Sequence, residues 1–272
     1  MADYDLPPPP AVRIWRGKAF TVSTRYSSAG LSTSIFLDTS GGRLIVDCGD
    51  GCVRDSIEIE RFMRETGHAL PRRNLKEAGE AIVGAVISHP HYDHYSGLLT
   101  LLNFLQLLGR ELPFPVIYPS GSEAVESIVD HFTDHLWEEP LFDVDLVPIS
   151  AGDSIEMAGM GIECVSSEHR NSRPGKVGGP VRALSFGFRM DGERIVYTGD
   201  TGDARPIMEF ARGSDLLIVE ATFPEPSPDS RGVHLTLDEA MELSAVSKEY
   251  MLVHFTSGSY RKALGEGFVE TR

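Results

Sequence analysis

Apolar and polar positions change rhythm along this chain, and the changes predict a mixed α/β protein. From Val12 to Thr24 the pattern predicts a strand or a hairpin. STSIFLDTSGGRLIVDCGDG predicts two strands about a Gly-Gly turn, with Asp47 at the end of the second. VRDSIEIERFMRETG places apolar residues at helical spacing and stops at a glycine. AIVGAVIS predicts a short buried strand that delivers His89 at its tip. GLLTLLNFLQLLG is an apolar helix expected to pack on a sheet, and PFPVIYP is a further strand. SGSEAVESIVDHFTDHLW predicts a serine-capped helix.

The second half repeats this texture without an exact internal repeat. Strands are expected near 143–148, 160–166, 182–189, 194–198, 215–219 and 250–254. A helix is expected over 236–247, where Thr236 and Glu239 have the spacing of a capping box. No linker divides the chain, so residues 12–272 are expected to form one domain. The proline-rich start, residues 1–11, reads as a flexible arm.

Composition narrows the function classes. The formal net charge of −15 argues against a general polyanion-binding surface, although a local basic patch can sit on an acidic body. Cys48, Cys52 and Cys164 are too few and too irregular for a disulfide framework. They read as reduced thiols, two in a loop and one in a strand, and not as metal ligands. The start lacks the basic flank and apolar run of a secretory signal, and no run of eighteen apolar residues occurs. A soluble cytoplasmic protein with no membrane partner is the default expectation.

The sharpest signal is AVISHPHYDHYSG, which contains His89, His91, Asp93 and His94. Histidine is scarce here, at nine residues in 272. Neutral imidazole and carboxylate are the ligands of zinc and similar divalent ions. In an extended stretch His89 and His91 point the same way and can share one ion. A turn at Tyr92 would let Asp93 and His94 face a second. One loop cannot complete such a site. Three further candidates, His169, Asp200 and His254, each follow an apolar strand, which would bring them to one sheet edge.

These residues resemble the metallo-β-lactamase fold superfamily of hydrolases over about residues 30–260. The resemblance implies a four-layer αββα sandwich with a two-metal site along one edge. It assigns His89, His91 and His169 to one metal, Asp93, His94 and His254 to the other, and Asp200 as the bridge. Asp47 matches an aspartate that supports the site by hydrogen bonds. Zinc is the default ion, with manganese or iron as alternatives.

Within the superfamily, DCGDG at 47–51, EATF at 220–223, HLT at 234–236 and HFTSGSY at 254–260 resemble motifs of ribonuclease Z, the tRNA 3′-processing endonuclease. By that resemblance Glu220 and His234 form a relay that protonates the departing oxygen of a phosphodiester. The plainer readings are a strand-end carboxylate and a neighbour of a helix cap. Asp93 could also accept a proton while ligating. Val219 and Ser259 stand where that family has histidine and arginine, and the segment from His169 to Asp200 lacks its long Gly-Pro arm for gripping tRNA. Arg170, Arg173, Lys176, Arg182 and Arg231 could hold a phosphate, or form a solvated surface that offsets the acidic body. His131 and His135 lie four apart among acids and read as a solvent face.

The expected activity is hydrolysis of RNA or of a smaller phosphodiester by a metal-bridged hydroxide. A carbon ester, thioester or lactone is the alternative substrate. The ribonuclease Z resemblance also implies a homodimer.

Overall fold

The computed structural model describes residues 12–67, 74–173, 175–228 and 230–269. The expected arm, residues 1–11, lies outside them. The chain forms two compact units, the first built from Val12–Tyr26 and Gly30–Ile149, the second from Ser27–Ala29 and the chain from Ser150 onward.

The first unit opens with a hairpin, β1 (Arg13–Arg16) and β2 (Thr21–Thr24), as the early alternation predicts. After β3 (Ser27–Ser28), which belongs to the second unit, the short β4 (Ser32–Thr33) precedes β5 (Ile35–Thr39) and β6 (Gly42–Val46). Strands β7 (Ile82–Val86), β8 (Phe114–Pro119) and β9 (Val144–Ile149) complete a seven-stranded sheet of order β1-β2-β5-β6-β7-β8-β9. Pairing is antiparallel from β1 to β6 and parallel from β6 to β9. The change of direction follows from the connections. A two-residue turn of Ser40 and Gly41 joins β5 to β6, where a Gly-Gly turn is expected from the sequence, whereas helices separate each later pair.

Those helices are α1 (Cys52–Glu65), α2 (Leu75–Glu80), α3 (Tyr92–Tyr95), α4 (Leu98–Leu107) and α5 (Glu123–His131). Ile59 and Met63 of α1 and Leu98, Leu101, Leu102 and Leu105 of α4 join Phe36, Ile45, Ala85 and Val116 of the sheet in one core cluster. The spacing of these residues is that of one helix face. The serine cap expected for α5 is not formed. The Ser122 hydroxyl donates to the Pro119 carbonyl instead, at 2.7 Å. His131 and His135 are exposed, as a solvent face requires.

The second unit holds a six-stranded sheet of order β10-β11-β12-β13-β14-β15. Its strands are β10 (Ser154–Met157), β11 (Met160–Arg173), β12 (Lys176–Met190), β13 (Glu193–Tyr197), β14 (Leu216–Glu220) and β15 (Glu249–Val253). Again antiparallel pairing, β10 to β13, gives way to parallel pairing, β13 to β15. Helices α6 (Arg205–Ala211), α7 (Leu237–Ser244) and α8 (Ser257–Gly265) fill the connections. The capping box read from Thr236 and Glu239 is present in full. Both units thus share one plan that no sequence repeat betrays. Among the described residues, no helix is long and apolar enough to cross a membrane.

The three cysteines are buried free thiols. Cys164 lies in β11 as expected, but Cys52 opens α1 and does not lie in a loop. A hydrogen bond with Cys52, then burial, raises the Cys48 thiol well above its ordinary pKa. Burial first pushes Cys164 up to about 11.

Candidate metal centre

In the first unit β6 and β7 run parallel, with Val46 opposite Val86. Their carboxyl ends therefore release two loops side by side, the usual place for ligands in such sheets. Asp47 follows β6 in the left-handed region, at φ 57°, and is fully buried. A non-glycine residue held there is strained, a condition common at functional sites. Three hydrogen bonds tie its carboxylate to Ser88 and His94. The Ser88 N–H donates to its Oδ1 at 2.7 Å and the Ser88 hydroxyl to its Oδ2 at 2.8 Å. The third joins its Oδ2 to His94 Nδ1, at 2.7 Å.

This network sets the ring tautomers. Asp47 accepts from His94 Nδ1–H, which leaves the lone pair on Nε2. The Ser88 proton goes to Asp47, so its oxygen accepts from His89 Nδ1, 3.0 Å away. His89 then also carries its lone pair on Nε2. The His89 ring centroid is 4.7 Å from that of His91 and 4.1 Å from that of His94. Helix α3 is the turn expected at Tyr92, and the His94 N–H closes it by donating to the His91 carbonyl at 2.9 Å. Asp93 Oδ2 lies 3.5 Å from His94 Nε2 and accepts the Gly30 N–H at 2.8 Å. Gly49 makes this close fit possible. A Cβ there would fall 2.4 Å from the Asp93 carbonyl oxygen and 2.5 Å from the Thr33 nitrogen.

Asp47→Asn tests the support role. Asparagine tolerates the left-handed backbone, but its single oxygen cannot accept both the Ser88 N–H and His94 Nδ1–H, which use different carboxylate oxygens. Metal affinity should drop about 10- to 100-fold, read by competition with a chromogenic chelator. Unchanged affinity would remove Asp47 from the site.

The second unit supplies the remaining candidates. Asp200 lies just past β13, Glu220 ends β14, and His254 follows β15 at φ 57°. His169 is placed differently from the expectation. It does not follow its strand but sits inside β11, opposite Val181 of β12. Its Nδ1 donates to the Val233 carbonyl at 2.6 Å, which again leaves the lone pair on Nε2. Asp200 Oδ2 is 3.4 Å from His254 Nε2, 3.8 Å from His169 Nε2 and 3.7 Å from His234 Nδ1. The ligand atoms of Asp200, His234 and His254 all lie within 4.8 Å of one another.

Glu220 is the hub of this half. Its Oε1 accepts the Thr201 N–H at 2.8 Å and His234 Nδ1–H at 3.1 Å. Its Oε2 accepts the Thr222 hydroxyl at 2.5 Å. With that proton committed, the Thr222 oxygen accepts from His254 Nδ1, 2.8 Å away. One carboxylate therefore orients His234 directly and His254 through a threonine. Neither Ser88 nor Thr222 stands out in the sequence, because a hydroxyl beside a ligand carries no spacing signal of its own. The loops of Asp200 and His234 also touch backbone to backbone. A Cβ on Gly202 would fall 2.1 Å from the Gly232 carbonyl carbon.

Five histidines thus have Nδ1 engaged by protein oxygens, and in His89, His94, His169 and His254 this leaves Nε2 as the candidate ligand atom, the arrangement that metal-binding imidazoles use. Buried carboxylates accompany them, and no thiolate does. This donor set fits zinc or a similar divalent ion.

The cationic residues occupy the outer part of a hairpin. Strands β11 and β12 continue well past the expected limits of 166 and 182, pairing as far as Arg173 with Lys176. The polar composition of this stretch reads as loop, but its ladder of backbone hydrogen bonds makes it strand. Arg170, Arg173, Lys176 and Arg182 are exposed along it, and Arg231 is exposed three residues before His234. Arg170 turns one donor onto the Gly178 carbonyl at 3.0 Å.

A family model described as the beta-lactamase superfamily domain matches residues 42–255. The chain belongs to this superfamily. Ribonuclease Z of Archaeoglobus fulgidus is 25% identical and aligns over 83% of this chain and 82% of its own. Among solved structures, the metallo-β-lactamase fold protein YhfI of Bacillus subtilis superposes with a TM-score of 0.67. It has 17% identity and covers 92% of this chain and 93% of its own. The short form of human tRNase Z gives a TM-score of 0.63 at 19% identity, covering 84% of this chain and 90% of its own. The α/β class and the fold family expected from the sequence are therefore those of the protein, and its kinship is with metal-dependent hydrolases.

Proposed function

We propose that the protein is a binuclear metal-dependent phosphodiesterase acting on RNA or on a small phosphodiester. The observation that carries this reading is the Glu220–His234 pair. An imidazole fixed by a buried carboxylate at 3.1 Å stands 3.7 Å from the candidate metal ligand Asp200. Hydrolysis of an unactivated phosphodiester expels an alkoxide, which needs a proton. Cleavage of a thioester or an activated ester needs that donor far less.

In this reading His89, His91 and His169 hold one ion, Asp93, His94 and His254 hold the other, and Asp200 serves both. The ions, zinc by the donor chemistry, supply Lewis acidity and make hydroxide available near neutral pH. The side chains supply the rest. Glu220 accepts from His234 Nδ1–H and would stabilise the imidazolium form, whose Nε2–H can pass its proton to the leaving oxygen. Thr222 and Ser88 lock two ligand rings, and Asp93 can take up a proton. The ribonuclease Z relatives favour an RNA substrate and a homodimer. Three free thiols fit a reducing cytoplasm.

A substrate panel on metal-quantified protein tests the reading, with precursor tRNA, cyclic nucleotides, bis-p-nitrophenyl phosphate and lactones. Turnover of a phosphodiester above that of any lactone supports it, and the reverse order overturns it. The hairpin gives a separate prediction. Each phosphate contact on single-stranded nucleic acid contributes about −0.7 to the slope of log affinity against log salt. Replacing both Arg173 and Lys176 with glutamine should therefore flatten that slope by about 1.4 for an RNA oligomer. An unaltered slope would return these residues to the role of solvated surface.

A further inference from the structure

Tyr92 sits in the middle of the ligand loop and is not buried with its neighbours. It separates His91 from the buried Asp93 and His94, yet its own side chain is 71% exposed. Helix α3 explains the difference, since one helical turn sends successive side chains in different directions. The ring is also braced. Tyr95, one turn on, meets it edge to face with centroids 6.0 Å apart and planes at 76°. Tyr95 in turn packs against the core cluster of the first unit. A second apolar group belongs to the same rim. The Gly30 N–H is tied to Asp93 Oδ2, and the next residue, Leu31, is 49% exposed.

An exposed, braced aromatic ring offers a flat face that a ligand can cover. Here the ring adjoins groups suited to phosphoryl chemistry. The compound class that joins a flat π-face to a phosphate is the nucleotide. Base stacking on an aromatic ring needs no hydrogen-bond code, so such a platform would accept any base. The brace from Tyr95 limits the entropy lost when a base settles on it.

We propose that Tyr92 is a stacking platform for the nucleobase next to the scissile phosphate, which makes it a positioning residue for nucleotide substrates. This rests on the phosphodiesterase reading for its context, but its test is binding and not turnover.

The test compares AMP with ribose 5-phosphate on metal-loaded protein by isothermal titration calorimetry. The two ligands share sugar and phosphate and differ in the base. Wild type should bind AMP about tenfold more tightly, within the range that stacking on one ring supplies. Tyr92→Ala should bring the ratio close to one, and Tyr92→Phe should keep it. In Tyr92→Trp, AMP should quench the new indole fluorescence and ribose 5-phosphate should not. A wild-type ratio near one, or no detectable binding of either ligand, overturns the proposal. So does a preference for AMP that survives Tyr92→Ala. Wild type that prefers AMP but hydrolyses no phosphodiester would instead sink the phosphodiesterase reading and leave the platform standing.

Discussion

Asp200→Asn should strip the protein of most of its bound metal and reduce hydrolysis by at least about 10³-fold. The substitution keeps size and shape and removes one negative charge. Three imidazole nitrogens, from His169, His234 and His254, lie within 3.8 Å of the Asp200 Oδ2. In the proposed assignment the ion on His89, His91 and His169 has only neutral rings besides Asp200, and buried charge without a partner is costly. The backbone of Asp200 is held independently. Its carbonyl accepts the Ser167 hydroxyl at 2.6 Å, so the loop should keep its place. Metal content by inductively coupled plasma mass spectrometry and near-ultraviolet circular dichroism separate loss of ligand from loss of fold. Full metal content with less than a tenfold loss of rate would remove Asp200 from the centre.

His234→Ala should lower turnover about 10²- to 10⁴-fold on substrates with alkoxide leaving groups. On nitrophenyl esters the loss should be much smaller, because nitrophenolate departs without a proton. Glu220→Gln should move rates the same way, since it weakens the hold on His234 Nδ1 at 3.1 Å. It should also disturb metal binding, because Glu220 reaches His254 through Thr222. This double effect separates the two variants. His234→Ala changes leaving-group sensitivity alone, whereas Glu220→Gln changes sensitivity and affinity together. Equal losses on alkoxide and nitrophenyl substrates for His234→Ala would rule out proton donation by this ring.

Much of this was legible in the sequence because the candidate groups sit at strand ends. A short apolar run followed by a histidine or an aspartate can be read directly, and His89, Asp200 and His254 are found where that reading puts them. His169 was harder. It lies in the middle of a strand whose outer half is polar, so the apolar signal ends before the residue does. The same cause hid the length of the β11–β12 hairpin, which backbone pairing sustains without an apolar face. Cys52 and Ser122 mark the opposite limit. Whether a small residue opens a helix, caps it or bonds back to a turn is decided by one neighbouring carbonyl. Ser88 and Thr222 show a further limit. Their part is to fix which nitrogen of a ring bears the proton, and that depends on three-dimensional neighbours.

The contact of Gly202 with Gly232 also bears on how such chains diverge. Any side chain at 202 would wedge apart the two loops that carry Asp200 and His234. Drift at this position is therefore closed to a lineage that keeps both groups working. When uncharacterised relatives are sorted, a lost glycine at this point should flag catalytic decay or a rebuilt proton donor, even where every histidine survives.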